Sequence, residues 1–146
     1  MMVAGNFYKT SYNKFLTDCK TLELTDEETI RNIWSNIIRP KRIDETRAAY
    51  TFYLPYSRCL QKDETIKILT GVGLDILPGW VLVLRPRKEI VFVENDENKY
   101  FMSTAENNTH LIVKIKSKEN LSLAEGDPYM FGTFLQYGVT LSEKEF

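Results

Sequence analysis

Histidine and cysteine are scarce in this 146-residue chain: His110 stands alone, and Cys19 and Cys59 are the only thiols. With no Cys-x-x-Cys and one imidazole, the ligand set of a structural zinc is missing, and no metal is expected. A Ser-His-Asp or Cys-His catalytic set is equally unsupported, because His110 sits alone at the start of a predicted strand. The two cysteines fall in different predicted elements and are expected to be reduced, structural thiols. No apolar run approaches the roughly 18 residues of a membrane helix, so no membrane contact is expected. Charge is nearly balanced, with 19 basic and 20 acidic residues and a formal net charge of -1. No whole-chain field therefore attracts nucleic acid, which is not an expected partner. Met1 to Thr10 lacks the basic lead and apolar core of a signal peptide, and a cytoplasmic location is expected. Gly-x-Gly occurs as Gly71-Val72-Gly73 between predicted strands, which reads as a turn and not a dinucleotide loop. No period of about 20 to 50 residues repeats.

What is present is a core. At 43% hydrophobic the chain can fold as one compact unit. The first forty residues read as helical. Thr25-Asp26-Glu27-Glu28 has the form of a capping box, and Ile30, Ile33, Trp34 and Ile37 then recur on one helical face. Pro40 ends that helix, and a shorter one is expected over about Tyr12 to Cys19. Trp34 is read as a packing residue. Residues 1–38 are thus expected as a helical extension and 39–146 as a β domain. Strands are expected at Tyr50 to Leu54, Thr65 to Leu69, Val72 to Ile76, Trp80 to Leu84, Ile90 to Val93, Leu111 to Lys116, Leu121 to Leu123 and Tyr129 to Tyr137. Turn signals at Pro55, Gly71 and Pro78-Gly79 separate them, and the polar stretch from Glu94 to Thr109 reads as a solvated hairpin and loop. The fold class is mainly β, a sandwich or jelly roll with an N-terminal helical extension.

Several segments, taken in order, carry a resemblance. They are Arg39-Pro40-Lys41-Arg42-Ile43 with Arg47-Ala48-Ala49-Tyr50-Thr51-Phe52, then Glu64 to Ile68, Thr70-Gly71-Val72, Gly79-Trp80-Val81-Leu82, Pro86-Arg87, Asn107-Asn108-Thr109-His110-Leu111, Gly126-Asp127 and Gly132 to Tyr137. From about Ile37 onward the chain resembles the trimeric dUTPase family, in the phage and bacterial type that carries a helical lead. The resemblance implies a dUTPase-like jelly roll and a homotrimer. It also implies a nucleotide site built from five motifs, with Mg²⁺ bound through the phosphates.

At those motifs the sequence departs from the family. Where the first motif has Gly-x-Asp, Ala49 and Thr51 stand here. Where the second has Ser-Gly after Pro-Arg, Lys88 and Glu89 follow Arg87; Lys88 offers a point charge and Glu89 repels the same anion. The third motif fits with Glu97 at its water-activating Asp and Tyr100 at its Tyr, without the preceding glycine. Glu97 is read either as a misplaced base or as a solvated loop acid. Phe131 replaces the Gln of the fourth motif and makes no side-chain hydrogen bond. A Gly-rich closing arm is not evident before Phe146.

Thr51, Arg87, Lys88, Tyr100 and Phe131 thus mark a degenerate nucleotide site with no expected catalytic residue beyond the weak candidate Glu97. The expected function is that of a catalytically inactive dUTPase-like protein, a pseudoenzyme. It would act through a protein partner in a bacterial or phage-infected cell, directed at a host or defence protein, with no cofactor. The alternative is a weakly active dUTP diphosphatase or deoxynucleotide-binding protein, which would need Mg²⁺.

Overall fold

Alternating apolar residues after position 48 fold into antiparallel strands, as their period of two dictates. The structure, a computed structural model, describes residues 4–22, 26–43, 49–93 and 98–136. Strand β1 (Gly5–Lys9) leads into helices α1 (Tyr12–Thr21) and α2 (Glu27–Ser35). Strands β2 (Lys41–Arg42), β3 (Ala49–Tyr53), β4 (Arg58–Leu60), β5 (Thr65–Ile76), β6 (Trp80–Pro86) and β7 (Ile90–Phe92) follow. After them come β8 (Tyr100–Met102), a 3-10 turn (Thr104–Glu106), β9 (His110–Ser117), β10 (Leu121–Leu123) and β11 (Pro128–Gln136). One sheet has the order β1-β5-β9-β7, a second β2-β3-β11-β6-β8, and β4 pairs with β10.

The core joins the two large sheets. Ile66, Ile68, Val113 and Ile115 from the first cluster with Phe52, Leu82, Leu84, Met130 and Phe134 from the second, all buried. Phe7 of β1 lies edge-on to Phe52 and Tyr50, at 5.2 and 4.9 Å between ring centroids. Full burial of each such side chain contributes about 1.5–3 kcal/mol.

The helical reading of the first forty residues is corrected at Gly5–Lys9. These residues pair with β5 from Gly5↔Ile76 to Lys9↔Val72, and Phe7 enters the core. Five residues are too few for a helical or strand period to declare itself, so tertiary pairing decides. The capping reading shifts too: Thr25 lies outside the described residues, and the cap position is Asp26, whose Oδ2 accepts a hydrogen bond from Thr29 Oγ1 at 2.5 Å. The polar stretch before β9 is not all loop, since Tyr100–Met102 pairs with Leu82–Leu84. Asn107 acts there as a side-chain strand partner, its Oδ1 accepting from Ile76 N at 2.6 Å and its Nδ2 donating to Ile76 O at 2.9 Å.

The two strands expected on either side of Gly71 are one strand, β5, whose register on β9 slips between Leu69 and Gly73. Gly71 sits at φ 73°, and a Cβ there would overlap the Ile37 side chain. Only glycine meets both conditions. The bulge turns backbone groups outward, and each finds a partner. Gly71 N–H donates to His110 Nε2 at 2.9 Å, Thr10 N–H donates to Gly71 O at 2.9 Å, and Val72 N–H donates to Thr70 Oγ1 at 3.1 Å.

Since Nε2 accepts, the His110 proton sits on Nδ1 and donates to Asp18 Oδ2 of α1 at 2.8 Å. That bond helps dock the helical pair on the outer face of the first sheet. There Phe15, Cys19 and Ile30 are buried against Tyr56 and Leu69, with Ile33, Trp34, Ile37 and Ile112 packed around them. Trp34 is a packing residue whose Nε1 donates to Thr10 O at 2.8 Å. Cys19 and Cys59 are both free; Cys19 is buried, and burial, then the Asp18 charge, push its thiol up to about 11. No helix among the described residues is long and apolar enough to cross a membrane.

Two outcomes are expected from this linkage. Replacing His110 by Ala leaves the Gly71 N–H unsatisfied and costs about 1–3 kcal/mol in a urea titration. Gly71→Ala meets both a left-handed backbone and a steric overlap, and lowers stability by at least about 1 kcal/mol in the same measurement. Burial holds the His110 pKa below its ordinary value, with the Asp18 hydrogen bond and charge opposing and Lys14 adding to the decrease. The unfolded chain therefore takes the proton first. Stability from this group is complete above about pH 6.5 and falls with pH through the window down to the depressed folded value. Denaturation midpoints between pH 7 and 5 check this, with His110→Ala losing that part of the slope.

Candidate degenerate nucleotide site

The motif residues come from the second sheet and from the turn that leaves it. Cross-strand register places Lys41, Thr51, Phe131 and Arg85 in one row over β2, β3, β11 and β6. Their neighbours along β11, Met130 and Gly132, take the opposite face, where Met130 is buried in the core. The row therefore lies on the outer face, with the Phe131 ring 37% exposed. Leu135 and Phe101 are exposed large apolar residues of the same sheet.

The turn Arg87–Ile90 carries the chain from β6 to β7. It closes through Ile90 N–H to Arg87 O at 3.0 Å, and Arg87 N–H anchors it to Tyr129 O of β11 at 3.0 Å. Lys118 N–H donates to Glu89 O at 2.8 Å and fixes its other side. Lys88, at the tip, is exposed. Within this short turn Arg87 Nε reaches Glu89 Oε1 at 2.7 Å, and Arg87 Nη2 reaches Glu89 Oε2 at 3.2 Å.

This two-point contact is the geometry by which a guanidinium takes a carboxylate or a phosphate. It is already occupied from within the chain. Both groups are half-buried, with side chains 30% and 16% exposed. The hydrogen bonds from Arg87 hold the Glu89 carboxyl down at about 2, and the same pair raises the Arg87 pKa. Glu89 is thus more than a charge that repels an incoming anion, as its sequence position suggests. It occupies the arginine. The Arg-x-Glu spacing was legible, but the turn that closes it into a pair was not.

The structure brings together only part of the expected set. Thr51 and Phe131 are cross-strand neighbours. Tyr100, opposite Leu84, faces inward and packs edge-on to Phe92 at 5.7 Å between ring centroids, away from the outer row. Glu97 lies outside the described residues. Among the described residues no group of three or more His, Cys, Asp or Glu is placed to hold a metal ion. The donor chemistry does not suit Mg²⁺ at the turn either, since the Glu89 carboxylate is bound to Arg87, and the Phe131 side chain on β11 offers no oxygen. What remains is an exposed face and a pre-neutralised turn.

No family model and no curated protein sequence matches the chain. Solved structures do. The dUTPase of Streptococcus mutans superposes with a TM-score of 0.61 at 17% identity, over 92% of this chain and 97% of that one. A Staphylococcus bacteriophage 80alpha dUTPase mutant with dUpNHpp gives 0.64 at 14% identity, over 94% and 93%. A mutant dUTPase of the S. aureus phage phi11 gives 0.58 at 17%, over 71% and 86%. Across most of its length, and at low sequence identity, the chain has the fold of the phage and bacterial dUTPases.

Proposed function

We propose that this chain is a catalytically inactive dUTPase-like protein that acts by binding a protein partner in a bacterial or phage-infected cell. The observation that carries the proposal is the Arg87–Glu89 pair. An arginine that resembles the phosphate-handling residue of the second motif is held at two points by its own chain. An incoming phosphate must first displace a half-buried carboxylate, and Glu89 then stands unpaired beside the anion. Phe131 supports the same reading, because a side chain without hydrogen-bonding atoms stands where a polar contact is expected.

A protein-directed role draws support from the neighbours. Phage dUTPases are described as controlling transfer of virulence genes by a G protein-like mechanism, and the phage 80 protein as having a SaPI-inducing capacity. Assembly as a homotrimer belongs to the same proposal. Exposed Phe101, Phe131 and Leu135 on the second sheet offer apolar contact area for it.

Incubation with dUTP and Mg²⁺ is expected to release no pyrophosphate and to leave the melting temperature unchanged. Hydrolysis together with a melting shift would instead establish the diphosphatase alternative, in which Lys88, Tyr100 and Glu97 are the residues to test. Glu89→Gly separates the pair from the fold. The variant loses about 1–3 kcal/mol from the hydrogen bonds to Arg87 and the freedom of glycine, and inorganic tripolyphosphate then raises its melting temperature while leaving the native protein's unchanged. An equal response in both proteins would show that Glu89 does not block Arg87.

A further inference from the structure

The first sheet carries a feature that neither the fold nor the degenerate site uses. Lys67 of β5 and Lys114 of β9 are direct antiparallel partners, and Lys116 follows on the same face opposite Thr65. Like charges placed opposite each other across a ladder destabilise it. Among the described residues no acidic side chain lies within ion-pair distance of Lys67, Lys114 or Lys116.

Lys67 and Lys114 border a groove at the edge of the docked helices. One cavity of about 290 Å³ is lined by Lys67, Lys114, Ile112 and Leu22, with Asp18 and Thr21. A second, of about 680 Å³, shares Lys67 and Leu22 and continues past Ile33 and Leu69. Two acids also stand in the walls: Asp18, which accepts from His110 and lies 3.9 Å from Lys14 Nζ, and Glu64, whose Oε1 accepts from Gln61 N–H at 2.9 Å. The groove therefore combines an aliphatic wall with cations that outnumber its acids, Lys67, Lys114 and Arg58 against Asp18 and Glu64.

We propose that this groove docks an extended acidic segment of a protein partner. The inference rests on the protein-binding reading above and names its surface. Alternate residues of a strand stand roughly 7 Å apart, so Ile112, Lys114 and Lys116 present an apolar, basic, basic ladder at the pitch of an extended chain. A segment of the form Leu-x-Glu-x-Glu matches it, with Leu against Ile112 and Leu22 and the two carboxylates over the lysines. Placing carboxylates there relieves the Lys67–Lys114 repulsion, and so couples binding to stability. Nucleic acid fits less well, because half of the groove is aliphatic and the chain as a whole carries a net charge of -1.

The test is an NMR titration of the full chain with the capped peptide Leu-Ser-Glu-Ser-Glu. Saturable shifts are expected at Leu22, Lys67, Ile112 and Lys114, weakened at least about tenfold in the Lys67→Glu, Lys114→Glu double variant. They should also weaken when Gln replaces Glu in the peptide, and with added salt. Lys67→Gln keeps the proposal testable if the double variant fails to fold: it should melt at a higher temperature than the native protein yet bind the peptide several-fold more weakly. Absence of saturable shifts, equal shifts with the Gln peptide, or tighter binding of an oligothymidylate at the same lysines would each overturn the proposal. The dUTP assay reads the non-catalytic proposal independently, so either can fail without the other.

Discussion

The bulge at Gly71 is the constraint on which the arrangement of this molecule depends. Within three residues, β5 slips its register on β9, takes a left-handed backbone, and turns a donor and an acceptor toward the helices. Unpaired, each buried group would cost about 1–3 kcal/mol. Thr10 satisfies one and His110 the other, so the same two bonds that complete the sheet also fix where β1 ends and where α1 lies. Asp18 extends the chain of bonds to the helix and selects the tautomer that leaves Nε2 free to accept. The single histidine is therefore structural, held between a bulge and a helix.

The parts of the fold that were legible are those whose signal is local. The Ile30, Ile33, Trp34 stripe and the alternation over Leu111 to Lys116 each state a period, and α2 and β9 follow it. What was not legible depends on partners distant in sequence. Gly5–Lys9 is a strand because the edge of β5 is available and Phe7 finds Phe52. Gly71-Val72-Gly73 looks like a turn because glycine commonly marks one, yet here the glycine permits a bulge inside a continuous strand. In both cases the neighbouring strand decided.

The same division holds for the candidate site. The resemblance puts Thr51 where the family has Asp and Phe131 where it has Gln, and cross-strand register makes the two neighbours. That Glu89 closes on Arg87 needed the Arg87–Ile90 turn, and that Tyr100 points inward needed the pairing of β8 with β6. Opposed lysines at 67 and 114 leave no trace in sequence at all, because they are separated by forty-six intervening positions and meet only through register.

The groups that hold the fold and the residues at the expected motif positions do not overlap, so one set can change while the other persists. Thr51, Lys88 and Phe131 are half-buried or exposed, outside the sandwich core. Substitutions at such positions typically change stability by less than about 0.5 kcal/mol. Gly71, His110 and the buried faces of β5 and β9 tolerate far less, since each change there leaves a void or an unpaired group. Glu89 goes a step further than tolerance. It supplies Arg87 with an intramolecular carboxylate, so the half-buried guanidinium has a partner within its own turn. With that charge met from within the chain, the turn completes its own contacts without a bound anion.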